Sequence, residues 1–158
     1  MKLCANISLL FTEEPLPERF PAAAEHGFAA VEIQFPYTED LSLLRDKQQQ
    51  AGIAVALINL PAGDLVHDEA GLACCPRRVD EFKRAVDQCL PYAERLKVDC
   101  VNVLAGRCAD INRAEHGYET FLRNLEYAAD HLRDIGVRTV FEAINTFDIP
   151  DFLLHSSA

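Results

Sequence analysis

Long apolar runs are missing from this sequence: none approaches the roughly 18 residues of a membrane-spanning helix, and the N-terminus shows no basic segment followed by an apolar stretch and a cleavage site. A cytoplasmic protein is expected, and its six cysteines are expected to be thiols there. Positive charge is also scarce. Fifteen Lys and Arg against 25 Asp and Glu give a formal net charge of −10, with the acids scattered along the chain and Arg77–Arg78 as the densest basic pair. Such a field repels phosphate backbones, so nucleic acid is not an expected partner. There is no CxxC pair and no Cys/His spacing of the zinc type, because Cys74 and Cys75 are adjacent and no histidine follows at ligand distance. GxGxxG, Walker, GxSxG and HExxH motifs are absent, which removes the commonest nucleotide-binding, acyl-transfer and zinc-protease readings.

What is present is the balance of a single globular domain, 158 residues with 49% hydrophobic and 25% charged composition. Residues 3–11, 28–36, 53–61 and 100–106 and the stretch Thr139–Asn145 are apolar enough for strands buried on both faces. Between them lie helical stripes. Phe20, Ala23 and Ala24 precede Gly27; Leu41, Leu44 and Ala51 precede Gly52; Val79, Phe82, Val86, Leu90, Ala93 and Leu96 follow Pro76; Tyr118 to Ile135 precede Gly136. Pro91 falls inside the third stripe and predicts a kink or two shorter helices, and Asp151–Ser157 reads as the start of a further helix. The succession helix, glycine, strand recurs as HGFAAVEI, AGIAVALI and IGVRTVFE. It predicts a parallel βα-wound α/β fold of five strands and four helices, either the first five strands of an eight-stranded barrel or an open doubly wound sheet.

In both architectures the carboxyl ends of the strands gather on one face and carry the chemistry. Those ends and the loops after them hold Asn6, Phe11, Phe35, Tyr37, Asn59, Gly63, Asp64, His67, Gly106, Arg107, Glu142 and Asn145, a polar and partly aromatic mouth suited to a small oxygen-rich ligand. Glu142, near the end of the fifth strand, can bind a hard divalent cation or move a proton beside a carbonyl; equally it can pair with Arg138 or Arg107. Glu32 is a weaker candidate of the same kind that can instead face a solvated edge. His67 is the only histidine on a loop of the mouth, with an ordinary surface histidine as the alternative.

The segments NxSxLF (Asn6–Phe11), FPY (Phe35–Tyr37), NLPAGD (Asn59–Asp64), LAG (Leu104–Gly106) and EAINTFDIP (Glu142–Pro150), in this order, resemble the hydroxypyruvate isomerase family. That family includes the 2-oxo-tetronate isomerases and belongs to the xylose-isomerase-like TIM barrels. The resemblance implies a (β/α)8 barrel and an aldose–ketose isomerisation of a small hydroxy-carbonyl acid, such as hydroxypyruvate to tartronate semialdehyde. It makes Glu142 a ligand of Mg²⁺ or Mn²⁺ and one of two catalytic glutamates. The mouth residues Asn6, Phe11, Tyr37, Asn59, His67 and Asn145 become candidate substrate contacts. A complete barrel takes about 250 residues. The expectation is therefore a single incomplete TIM-barrel domain over residues 1–158, lacking the second glutamate and most metal ligands and inactive alone. Asp151 stands where many relatives have glycine. The alternative is a non-catalytic half-barrel that associates with a second copy or a complementing half through open sheet edges. Hydrolysis of DNA phosphate esters, known among endonuclease relatives of the barrel, is opposed by the charge of −10 and by the lack of ligating histidines.

Overall fold

The structure, a computed structural model, describes residues 3–65, 71–108 and 114–156. Strands β1 (Cys4–Asn6), β2 (Ala30–Ile33), β3 (Ala54–Asn59), β4 (Cys100–Asn102) and β5 (Arg138–Val140) alternate with helices α1 (Arg19–Glu25), α2 (Leu41–Ala51), α3 (Val79–Leu96) and α4 (Ala114–Asp134). The local signals act as their chemistry dictates. Asp40 caps α2 by accepting the Leu43 backbone N–H at 2.8 Å, and Gly52 ends it in the left-handed conformation at φ 64°.

All five strands are parallel and lie in the order β1-β2-β3-β4-β5. Each helix packs on the next, α1 on α2, α2 on α3 and α3 on α4, so the helices form one continuous layer. A doubly wound sheet reverses its strand order at a switch point and carries helices on both faces. This sheet does neither, which leaves the barrel as the architecture. The core fills the space between sheet and helices: Val31, Ile33, Val55 and Ile58 from the strands meet Phe20, Leu44, Phe82, Leu96, Phe121 and Leu132, all essentially inaccessible to solvent. The alternate residues of β2, Ala30 and Glu32, are only half buried and look out over the other, concave face.

Several sequence expectations need correction. The first strand stops at Asn6 instead of continuing to Phe11, because the Asn6 side chain accepts the Ser8 N–H at 3.0 Å and its carbonyl accepts from Leu9 and Leu10, closing a turn. The fifth strand is confined to Arg138–Val140, which places Glu142 in the loop just beyond it. Pro91 does not divide its helix: α3 runs through it, with the proline on the exposed side while Cys89, Ala93 and Leu96 face the core. The predicted helix from Asp151 does not form. Phe152, almost wholly buried, makes an isolated antiparallel bridge with Arg107, and the Cys108 and Leu153 amides donate across this junction to Asp151 and Gly106. Those backbone groups are committed to the loop after β4 and are lost to a helical turn.

Gly71 and Gly136 share a positive φ, 80° and 75°, but differ in their surroundings. A Cβ on Gly136 would meet nothing within 4 Å, whereas one on Gly71 would lie 2.6 Å from a Leu65 methyl and 3.2 Å from the Ala62 carbonyl oxygen. Gly136→Ala is expected to cost the backbone term alone, about 1–2 kcal/mol, and Gly71→Ala clearly more. Parallel thermal and urea melts of the two variants check the order.

Candidate functional site on the concave face

Parallel pairing sets Asn6 opposite Glu32 and Asn59 opposite Asn102, so one face of the sheet carries a band of amides and acids. Asn102 is its centre. Its side-chain N–H groups donate to Glu142 Oε1 at 2.7 Å and to Asn59 Oδ1 at 3.1 Å, and only 4% of the residue is exposed. Rotating the amide would turn its oxygen toward two other acceptors, so these partners fix its orientation. The consequence is that Asn102 Oδ1 is buried and has no hydrogen-bond partner in the structure. An orphaned buried acceptor is uncommon and calls for a donor from outside the protein framework.

Glu142 is thus aimed by an asparagine and not by an arginine: neither Arg138 nor Arg107 is recorded as its ion-pair partner among the described residues. It stands at a cleft of about 610 Å³ that Gln34, Phe35, Asn59, Leu104 and Ile144 also line, a polar floor between apolar walls. Glu32, on the same face, accepts the Asn6 side-chain N–H through Oε1 at 2.8 Å. Its alternative reading as a residue on a solvated edge fails, since it is half buried in the interior of the curve. Burial, with the negative charge of Glu142 second, holds its carboxyl above the usual range.

The other sequence candidates lie in different settings. Asn59 is in the cleft, nearly buried. Tyr37 donates its hydroxyl to the Asn59 backbone carbonyl and stacks edge-on against Tyr92, 5.1 Å away. Burial, with Cys89 next, pushes its phenol far above the ordinary range, so it supports Asn59 from behind and keeps its proton. Phe11 packs on the rings of His26 and Phe28 at 5.1 and 6.5 Å, beside the amino end of β2. Asn145 is exposed and closes its own turn, accepting from Phe147 and Asp148 N–H groups while donating to the Asp148 carboxylate. His67 lies outside the described residues. Asn102 and Gln34 were missed by sequence reasoning. The available signal for Asn102 was an amide placed inside the apolar run CVNVLAG, where burial forces it to find partners.

Among the described residues no group of three or more His, Cys, Asp or Glu could hold a metal ion. Glu142 and the Asn102 carbonyl are two oxygen donors, against the roughly six that Mg²⁺ or Mn²⁺ takes. The donor set therefore does not by itself fit the divalent cation that the sequence resemblance implies.

The upward shift of Glu32 has a definite sign for stability. A carboxyl whose folded pKa exceeds its unfolded value binds more protons when native, so stability falls as pH rises through the interval above the ordinary 4.5. Glu32→Gln keeps the acceptor for Asn6 and removes the charge. It is expected to raise the melting temperature at pH 7, with a gain that shrinks and disappears as pH is lowered below 4.5. Melts from pH 3.5 to 8 test this; a gain independent of pH would contradict it.

A family model described as the xylose isomerase-like TIM barrel matches residues 20–153. The chain is 39% identical to a putative hydroxypyruvate isomerase of Danio rerio over 99% of its own length and 59% of that protein. It is 38% identical to the hydroxypyruvate isomerase of Escherichia coli K12 over 98% of its length and 60% of the relative. Among solved structures, an AP endonuclease, family 2, from Brucella melitensis superposes with a TM-score of 0.91 at 35% identity, covering 98% of this chain and 60% of that one. The chain thus spans about three-fifths of the length of these relatives.

Proposed function

Because this chain belongs to the xylose isomerase-like TIM-barrel family, we propose that its concave face carries part of an active site for aldose–ketose isomerisation of a small hydroxy-carbonyl acid, with hydroxypyruvate as the model substrate. The observation that carries the proposal is the hydrogen bond from buried Asn102 to Glu142, which fixes one carboxylate at the carboxyl end of a parallel strand beside an unsatisfied carbonyl acceptor. The relatives' names, hydroxypyruvate isomerase and 2-oxo-tetronate isomerase, support the same reaction class.

The reaction moves a proton between adjacent carbons and is redox-neutral overall. Glu142 removes a proton from the hydroxyl-bearing carbon, leaving an enediolate. The same proton equivalent is returned to the former carbonyl carbon, and the hydroxyl proton passes to the former carbonyl oxygen. With Oε1 held by Asn102, Oε2 is the oxygen available for this transfer. Leu104 and Ile144 give the cleft apolar walls beside the carboxylate. A divalent cation, which would polarise the carbonyl and hydroxyl oxygens, requires ligands beyond those described, and turnover is proposed to depend on acidic groups from outside the five-strand unit.

Edges favour a complementary reading of the same surface. β1 and β5 are the two ends of the sheet order, and an edge strand offers unpaired backbone groups to another chain. Phe141 beside β5 and Leu122 on α4 are large, apolar and about half exposed. Association through these edges, with a second copy or a complementing half, is the alternative that needs no catalysis; sedimentation showing a well-folded monomer at all concentrations counts against it.

The catalytic proposal is tested by assaying tartronate semialdehyde formation from hydroxypyruvate with Mg²⁺ or Mn²⁺, for the chain alone and co-expressed with the last two-fifths of the E. coli relative. Activity is expected on complementation, and Glu142→Gln should lower it by about 10²–10⁴-fold, the range for loss of a general acid–base. Complemented activity indifferent to Glu142→Gln would rule out the assigned role.

A further inference from the structure

Lys83 on α3 and Arg123 on α4 are far apart in sequence, yet they line one groove of about 430 Å³ in the helix layer, where α3 packs on α4. Neither takes part in an ion pair among the described residues, whereas Lys47, Arg78 and Arg133 each do. Asp87 and Glu119 stand one turn away on the same two helices, and neither is recorded as their partner. No acid lines the groove. In a chain of net charge −10 this is a local reversal of sign. The groove is also shaped by its neighbours. Lys83 Nζ lies 5.4 Å from the centre of the Tyr127 ring, a cation–π placement that confines the ammonium, and Tyr127 rests in turn on His131, with ring centres 4.0 Å apart. Arg123 sits one turn before Tyr127 on α4, on the same side of that helix. Asn124, only 3% exposed, commits its side-chain N–H to the Ala73 carbonyl at 2.9 Å, which fixes the amide. Its Oδ1 has no recorded protein partner and keeps access to the groove that Asn124 lines.

We infer that this groove binds a small organic phosphate bearing a hydroxyl group, with the phosphate between Lys83 and Arg123 and the hydroxyl donating to Asn124 Oδ1. A phosphate monoester carries nearly two negative charges at neutral pH and three outer oxygens, so it can answer two cations at once. A carboxylate brings one charge and two oxygens and leaves one of the cations unanswered. The volume of the groove lies in the range of small-molecule sites and exceeds what a bare ion fills. An acceptor such as Asn124 Oδ1 is satisfied by a hydrogen, which the ester's organic part supplies. The site shares no residue with the cleft at Glu142 and does not depend on the isomerase reading.

The test is a titration of the full chain, labelled with nitrogen-15, with glycerol 3-phosphate at constant ionic strength, followed by amide chemical shifts. Saturable shifts are expected around Val79–Lys83 and Thr120–Tyr127. Methyl phosphate, which lacks the hydroxyl, and D-glycerate, which replaces the phosphate by a carboxylate, should each bind there about five-fold more weakly, the worth of one ordinary hydrogen bond or exposed ion pair. Lys83→Gln and Arg123→Gln keep most of the side-chain stem and remove the charge. Each should weaken glycerol 3-phosphate about three- to five-fold, and the two together about ten-fold or more, with an unchanged circular dichroism spectrum. Arg133→Gln, which removes an exposed and already paired cation on the same helix, should leave the affinity as it is. Shifts that fail to saturate or spread evenly over the exposed lysines and arginines would overturn the inference. So would an affinity that survives the double substitution, or methyl phosphate or D-glycerate binding as tightly as glycerol 3-phosphate.

Discussion

The donation from Asn102 to Glu142 is the contact on which the functional geometry depends. It links the fourth strand to the loop after the fifth and holds an otherwise exposed carboxylate at a defined place. Because the same amide also donates to Asn59, three successive strand ends are tied into one unit. A carboxylate is a stronger acceptor for an amide N–H than a neutral carbonyl is. The cost of this contact is the orphaned Oδ1, a buried acceptor left for something other than the protein to satisfy.

Behind this band the fold supplies rigidity by conventional means. Apolar residues on the convex side of the sheet are sealed under a single layer of helices, and that packing frees the concave side for polar groups. The second layer helps: Tyr37 reaches the Asn59 carbonyl from behind, and buried Asn124 donates to the Ala73 carbonyl, fastening α4 to the segment after β3. Polar side chains in such positions destabilise unless satisfied, so Tyr37 and Asn124, which have partners, act as framework.

The sequence made the wound α/β order legible because each helix carries an apolar stripe that ends at a glycine, and the strands between are too short for anything else. It could not choose between barrel and doubly wound sheet by periodicity, since both give the same pattern; strand order decides, and that is a tertiary property. Ends were the weak point. Asn6 turns the chain by its own side chain, and the Phe152 bridge to Arg107 replaces a helix that local propensity favours. Glu142 was legible as an acid closing an apolar run. Asn102, the residue that aims it, was not, because its role comes from a register with Asn59 that no local signal encodes. Asn145 had the right residue type, yet its amide is spent on the adjacent turn.

The central claim, that Glu142 is a base poised over a hydroxy-carbonyl ligand, is tested most directly by proton exchange, which needs only the first half of the reaction. Hydroxypyruvate incubated in D2O with the chain should take up deuterium at its hydroxyl-bearing carbon faster than with Glu142→Gln, as followed by proton NMR. Equal exchange with the two proteins, at a rate no greater than in buffer, would contradict the account.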